Sequence, residues 1–244
     1  FASIHGDFPG TVLPVGQTPF FRNEGTVKTE GNISVNVRVE DLDGTWDVQS
    51  GTLTFASPGT NSYVDTDIIV ASGAALEFTS GIHEVDVTSF WTVAGSISVV
   101  GTAQLMFGGF MVADTVVVGG FDEPDTMSLT NTGVIQASTL VMASGELVAN
   151  ASVVAELLFD WIGGVIKGSS FVQVGKSVPN GTGFGHLNSS TGLTLEGRLL
   201  VLDTLVLSSG TTLTIGSAGG LEDPGDVGVP SNTGKTGGGM GKEL

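Results

Sequence analysis

A Ser-Gly turn followed by alternating apolar and hydroxyl side chains returns along the chain. It occurs as Val48-Gln49-Ser50-Gly51-Thr52-Leu53-Thr54-Phe55, as Val70-Ala71-Ser72-Gly73-Ala74-Ala75-Leu76-Glu77-Phe78, as Met142-Ala143-Ser144-Gly145-Glu146-Leu147-Val148 and as Leu207-Ser208-Ser209-Gly210-Thr211-Thr212-Leu213-Thr214-Ile215. A degenerate copy, Val99-Val100-Gly101-Thr102-Ala103-Gln104-Leu105, lacks the Ser. Gly51 and Gly73 stand 22 residues apart, Gly73 and Gly101 28 apart, and Gly101 and Gly145 44 apart, twice the first interval. A period in the low twenties signals supersecondary units that stack on one another. Each run carries only one or two inward apolar side chains, too few to close a core alone. Set about 4.8 Å above the previous one, the next run pairs every backbone group and prolongs an interior column.

Composition supports strands over helices. Gly supplies 38 of 244 residues and aromatics 7%, and Ala151–Trp161, the best helical candidate, has no polar stripe at helical spacing. The expected fold is therefore all-β: a single-stranded parallel β-helix, or β-solenoid, of roughly eight coils over residues 32–216. An extended lead-in or cap spans 1–31, rich in Pro and Gly, and a flexible Gly-rich tail spans 217–244. The rival arrangement is a tandem pair of β-sandwich domains, which also uses short strands with frequent turns. From Val87 to Ala113 no charged residue occurs, yet Gly95, Ser96, Ser98, Gly101 and Gln104 interrupt the run, so a soluble strand region is expected rather than a membrane span.

Charge narrows the partners. With 25 acidic against 8 basic residues and a net charge of −17, the chain repels nucleic acid and anionic membrane surfaces. The absence of Cys removes disulfides, thiolate metal sites and cysteine nucleophiles. The chain opens at Phe1 without a basic segment leading into an apolar one, so no signal peptide is expected within it. Four sequons, at Asn32, Asn150, Asn180 and Asn188, are the glycosylation candidates.

The Ser-Gly-Thr-Leu-Thr-Phe type repeats and Asp160-Trp161-Ile162-Gly163-Gly164-Val165-Ile166-Lys167-Gly168 resemble coils of the right-handed parallel β-helix of autotransporter passenger domains and filamentous haemagglutinin-like surface adhesins, a pectin-lyase-like architecture. The resemblance covers about residues 32–216. It implies an extracellular or cell-surface setting and a structural or adhesive role.

Candidate sites are few. Gly234-Lys235-Thr236 ends like a phosphate-binding loop, but Val229 stands where the first Gly is required and Gly237–Gly239 forbid the following helix. Asp122-Glu123-Pro124-Asp125 lies between two strand runs, so Asp122, Glu123 and Asp125 are the calcium candidates. No other cofactor is indicated. The pectin-degrading hydrolases of this fold are similar to one another in motifs that the chain carries only in part: Asn131-Thr132-Gly133 lacks the carboxylate and Gly185-His186-Leu187 lacks the second Gly. A lyase would draw its base from Arg22, Lys28, Arg38, Lys167 or Arg198, none of which neighbours an acidic trio in sequence. His5, His83 and His186 are too far apart to form a local motif and are expected at the surface or in turns, although a Ser/His/Asp set converges only in space. Trp46, Trp91 and Trp161 lie inside apolar runs and are expected to be buried.

The expected function is thus a non-catalytic rigid rod and contact surface within a larger secreted or cell-surface protein. Its partners would be a surface or matrix polysaccharide or protein and the neighbouring repeats of its own chain. The alternatives are a carbohydrate-active enzyme, lyase or hydrolase, and a carbohydrate- or ice-binding module, the last suggested by Thr52/Thr54 and Thr212/Thr214.

Overall fold

The computed structural model describes residues 3–5, 20–120, 126–175, 184–187, 193–202, 204–217 and 219–222. Every regular element among them is a strand. Apolar side chains at alternate positions, broken by Gly, Ser and Asp corners, make strands too short to fold alone. Thr45–Val48, Thr52–Phe55 and Thr60–Val64 form one coil, and Asp67–Val70, Ala75–Phe78 and Ile82–Val85 the next. Each strand pairs in parallel with its counterpart one coil on: Trp46 with Ile68, Leu53 with Leu76, Tyr63 with Val85. Three rows of strands result, the first and second in one 16-stranded sheet and the third in a separate 10-stranded sheet. The whole is a parallel β-solenoid of about eight turns.

In the middle coils the first two strands fuse. Phe90–Val99 is ten residues long, and Phe110–Val118, Val134–Met142 and Val153–Trp161 are nine each. The register shifts between Val93 and Ser96 and between Ala137 and Thr139, so a bulge carries the chain around the corner without breaking the ladder. A pair of β-sandwiches is excluded, because sandwich strands pair antiparallel and these pair in parallel. Among the described pairings only Ser3–His5 runs antiparallel, beside Thr26–Glu30 at the N-terminal edge of the first row. The parallel ladder already includes Phe20–Asn23 and Thr26–Glu30, upstream of residue 32.

The interior is a set of columns running along the axis. Val27, Trp46, Ile68, Trp91, Met111, Ile135 and Val153 follow one another in the first row, and Phe55, Phe78, Val99, Val118, Met142 and Trp161 in the second. All are buried. Burying each such side chain contributes roughly 1.5–3 kcal/mol relative to exposure, so every coil depends on its neighbours for most of its stability. In the N-terminal half the filling is aromatic: Phe55 stacks on Phe78 with centroids 5.4 Å apart, Phe78 on Trp91 at 6.0 Å, and Trp91 meets Phe107 edge-on at 5.0 Å.

All five repeat glycines adopt positive φ, from 64° at Gly101 to 88° at Gly210. They do not share one corner. Gly51 and Gly73 lead into second-row strands, whereas Gly101, Gly145 and Gly210 lead into third-row strands. The 28-residue interval between Gly73 and Gly101 is therefore a passage between corners and not a coil length. The coil step itself is 23 residues between Thr54 and Glu77 and 22 between Val39 and Asn61.

Candidate contact surface and polar sites

Alternation turns every second side chain outward, and on the first row several outward residues are apolar. Phe90 and Phe110 are direct cross-coil partners, their rings stacked 5.4 Å apart with planes 11° apart. Both stand in solvent, 46% and 37% exposed. Val134 continues their column, and Ile69 and Val112 lie in the next column on the same face, with Thr92 between them. Asp67 and Gln136 give this ridge polar ends. Contiguous exposed apolar surface with a polar rim is the usual mark of a contact site.

A concavity lies at the corner entering the third row, lined by Asn36, Arg38, Glu40, Pro58, Thr60 and Ser62. Arg38 is paired with Glu40 there and has Phe20 beneath its guanidinium, 6.0 Å from the ring centroid. The other candidate bases are likewise in ion pairs. Arg22 meets Glu24 at 2.6 Å, Lys28 meets Asp47 at 3.7 Å and Lys167 meets Glu146 at 2.7 Å, while Arg198 is bound to Glu222. Three of these, those of Lys28, Lys167 and Arg198, join successive coils.

Polar residues also enter the core. Asp41 is fully buried, accepting from Asn23 Nδ2 at 3.0 Å and from the indole N–H of Trp46. Burial raises its carboxyl above the usual range against the pull of these two donors. Asn61 accepts the N–H of Val39 at 2.8 Å and donates to the carbonyl of Ile82 at 3.2 Å, bonding the coils on either side. His83, expected at the surface or in a turn, lies inside. Its Nε2–H donates to the carbonyl of Ser80 at 3.0 Å, which leaves Nδ1 to accept from the Tyr63 hydroxyl at 3.1 Å. Burial lowers its pKa to about 4, opposed by the Ser80 carbonyl. Burial, reinforced by Asp41, also pushes the Tyr63 phenol well up. At a corner, burial tends to raise the Asp86 carboxyl, but donors from the side chains of Thr88 and Ser89 and the N–H groups of Asp65 and Thr88 outweigh it and hold it low.

Of the residues singled out in the sequence, Trp46, Trp91 and Trp161 are fully buried, so none offers a ring face to a sugar. Thr52 and Thr54 lie on the second row and Thr214 on the third, so the two Thr-x-Thr runs do not form one flat array. Asn32 and Asn150 are exposed, each lending its side-chain oxygen to the next coil, at Thr52 N and at Ser169 N. Asp122, Glu123, Asp125, Asn180 and Asn188 lie outside the described residues. Among the described residues, no three His, Asp or Glu side chains gather closely enough to hold a metal ion, and no helix is long and apolar enough to cross a membrane.

One constellation was not singled out from sequence. Asp160 and His186 are direct partners on the outer face of the second row, with His186 Nδ1 3.3 Å from Asp160 Oδ1. Ser208, one coil further, places its Oγ 2.8 Å from His186 Nε2. The separations, 26 and 22 residues, lie close to the coil step, and that was the available signal. Comparison with protein-family models, with curated proteins and with solved structures finds no match to this chain.

Proposed function

We propose that this chain is a rigid rod and contact surface within a larger secreted or cell-surface protein, as the resemblance of its repeats to autotransporter-type and haemagglutinin-like surface adhesins implies. The observation that carries this reading is the parallel register, which passes from coil to coil between Thr26 and Glu222 on the first row. A ladder of that kind resists bending because every coil is bonded above and below. The exposed ridge of Ile69, Phe90, Phe110, Val112 and Val134 supplies the contact face, and the acidic surface steers it toward neutral matrix polymers rather than anionic ones.

Small-angle scattering and affinity electrophoresis in neutral polysaccharide gels test the two halves of this reading. An elongated particle is expected, retarded in at least one gel. The double variant Phe90→Ser/Phe110→Ser should lose the retardation while staying folded, with an unchanged far-ultraviolet spectrum and cooperative urea unfolding at a stability lower by about 1–4 kcal/mol, the loss of two half-buried stacked rings. A compact particle would refute the rod, and equal retardation of the variant would refute the ridge.

A further inference from the structure

We propose that Asp160, His186 and Ser208 form an acyl-transfer site that cleaves carboxylic esters. Three consecutive coils bring together a hydroxyl, an imidazole and a carboxylate in the order such chemistry requires. Ser208 Oγ lies 2.8 Å from Nε2 of His186, on the side of the ring opposite to the carboxylate. Nδ1 faces Asp160 Oδ1 at 3.3 Å. That oxygen is shielded from solvent and has no well-aligned hydrogen-bond partner among the described residues, so the imidazole is the donor approaching it. A carboxylate on Nδ1 selects the tautomer with its proton there, so that Nε2 is the acceptor facing the Ser208 hydroxyl. Contacts between base and nucleophile that are long or off-line without substrate tighten when it binds.

The turn after Ser208 adds backbone donors next to the hydroxyl in the chain. Thr211 N–H donates to the Ser208 carbonyl at 3.1 Å, and Gly210 takes φ +88°, the geometry of a tight turn with Gly at its third position. Ser209 and Gly210 are exposed, and their N–H groups have no partner among the described residues. Donors immediately following a nucleophile are suited to an oxyanion. His186 and Asp160 retain 32% and 28% side-chain exposure, so substrate reaches them from solvent.

The chemistry balances with water as the only co-reactant. Ser208 Oγ attacks the ester carbonyl carbon and its proton passes to His186 Nε2. The carbon–alkoxide bond then breaks, and the departing oxygen receives that proton as an alcohol. A water molecule attacks the resulting acyl-Ser208, giving a proton to Nε2, and the acid leaves as the proton returns to Oγ. An exposed site with two turn donors favours esters over amides, because an alkoxide leaves more readily than an amine. A small acyl group presented on the surface of a larger molecule is the fitting substrate class, since the three side chains lie on an outer sheet face.

The full chain, incubated with p-nitrophenyl acetate and separately with a fluorophosphonate probe, tests the proposal. We expect p-nitrophenol release, and covalent labelling mapped by peptide mass spectrometry to Ser208. Ser208→Ala should abolish the labelling and the release, while Asp160→Asn lowers release on the order of 10²-fold or more with the far-ultraviolet spectrum unchanged. Release that persists in Ser208→Ala would show His186 or the solvent acting alone, and would overturn the proposal. So would absence of labelling in the folded wild-type chain. Neither result bears on scattering or on the Phe90/Phe110 ridge, so the rod reading stands or falls separately.

Discussion

Neutral His83 sits in the core between Tyr63 and the Ser80 carbonyl, and its folded pKa of about 4 lies below the ordinary value of 6.5. The unfolded chain therefore binds a proton first as pH falls. The resulting stability is complete above pH 6.5 and is lost progressively toward pH 4, by up to about 3 kcal/mol. Asp41 acts in the opposite sense: its raised pKa means the folded state holds its proton more firmly, so ionisation above 3.8 costs stability. Urea unfolding at pH 4.5 and pH 7 checks the histidine contribution, and His83→Phe should flatten the difference between the two. An unchanged pH slope in that variant would remove His83 from the account. The inward placement was readable in one respect, because Ile82-His83-Glu84-Val85 alternates and Val85 shares the parity of His83. What hydropathy could not show is that Tyr63, 20 residues away, would meet the ring with a hydroxyl. Asp160, His186 and Ser208 escaped notice for a related reason: each sits in an ordinary strand or turn, and only the coil step brings them together.

The strand-entering turns show how chain geometry and neighbours each constrain a glycine. Gly51 has φ +72°, and a Cβ there would fall 2.3 Å from the backbone carbon of Gly31 in the coil below; Gly73 has φ +80° with open space around the same position. Gly73→Ala should therefore cost about 1–2 kcal/mol, the left-handed backbone term alone. Gly51→Ala should cost distinctly more, because the contacted atom is backbone and cannot rotate away. Equal losses in the urea midpoints of the two variants would show that the coils yield at this corner. These glycines also mark the limit of what repeats reveal. The Ser-Gly signature identified strand entry correctly at Gly51, Gly73, Gly145 and Gly210, yet the second and third rows use the same turn. Local sequence cannot say which corner a turn occupies, because both corners ask the same φ of the chain.

Along the whole solenoid the core changes character. Trp46 and Trp91 belong to a packed aromatic series with Phe21, Phe55, Phe78 and Phe107, whereas Trp161 has Phe159 as its aromatic neighbour, 6.1 Å away. Since a stacked array is stabilised by nearest neighbours, its ends and its weaker-packed coils open first. In variants retaining a single tryptophan, the others replaced by Phe, fluorescence at Trp161 should respond at lower urea than at Trp46 or Trp91. Coincident midpoints would mean that the coils unfold as one unit. The antiparallel strand Ser3–His5 covers the edge of the first row beside Thr26–Glu30. A parallel ladder offers the same hydrogen-bonding pattern at every step, so a second copy arriving at a bare first coil could simply carry it on. With a reversed strand laid along Thr26–Glu30, the first row no longer presents that template to the far end of another copy, and head-to-tail growth into a fibre loses one of its three rows of pairing where it would begin.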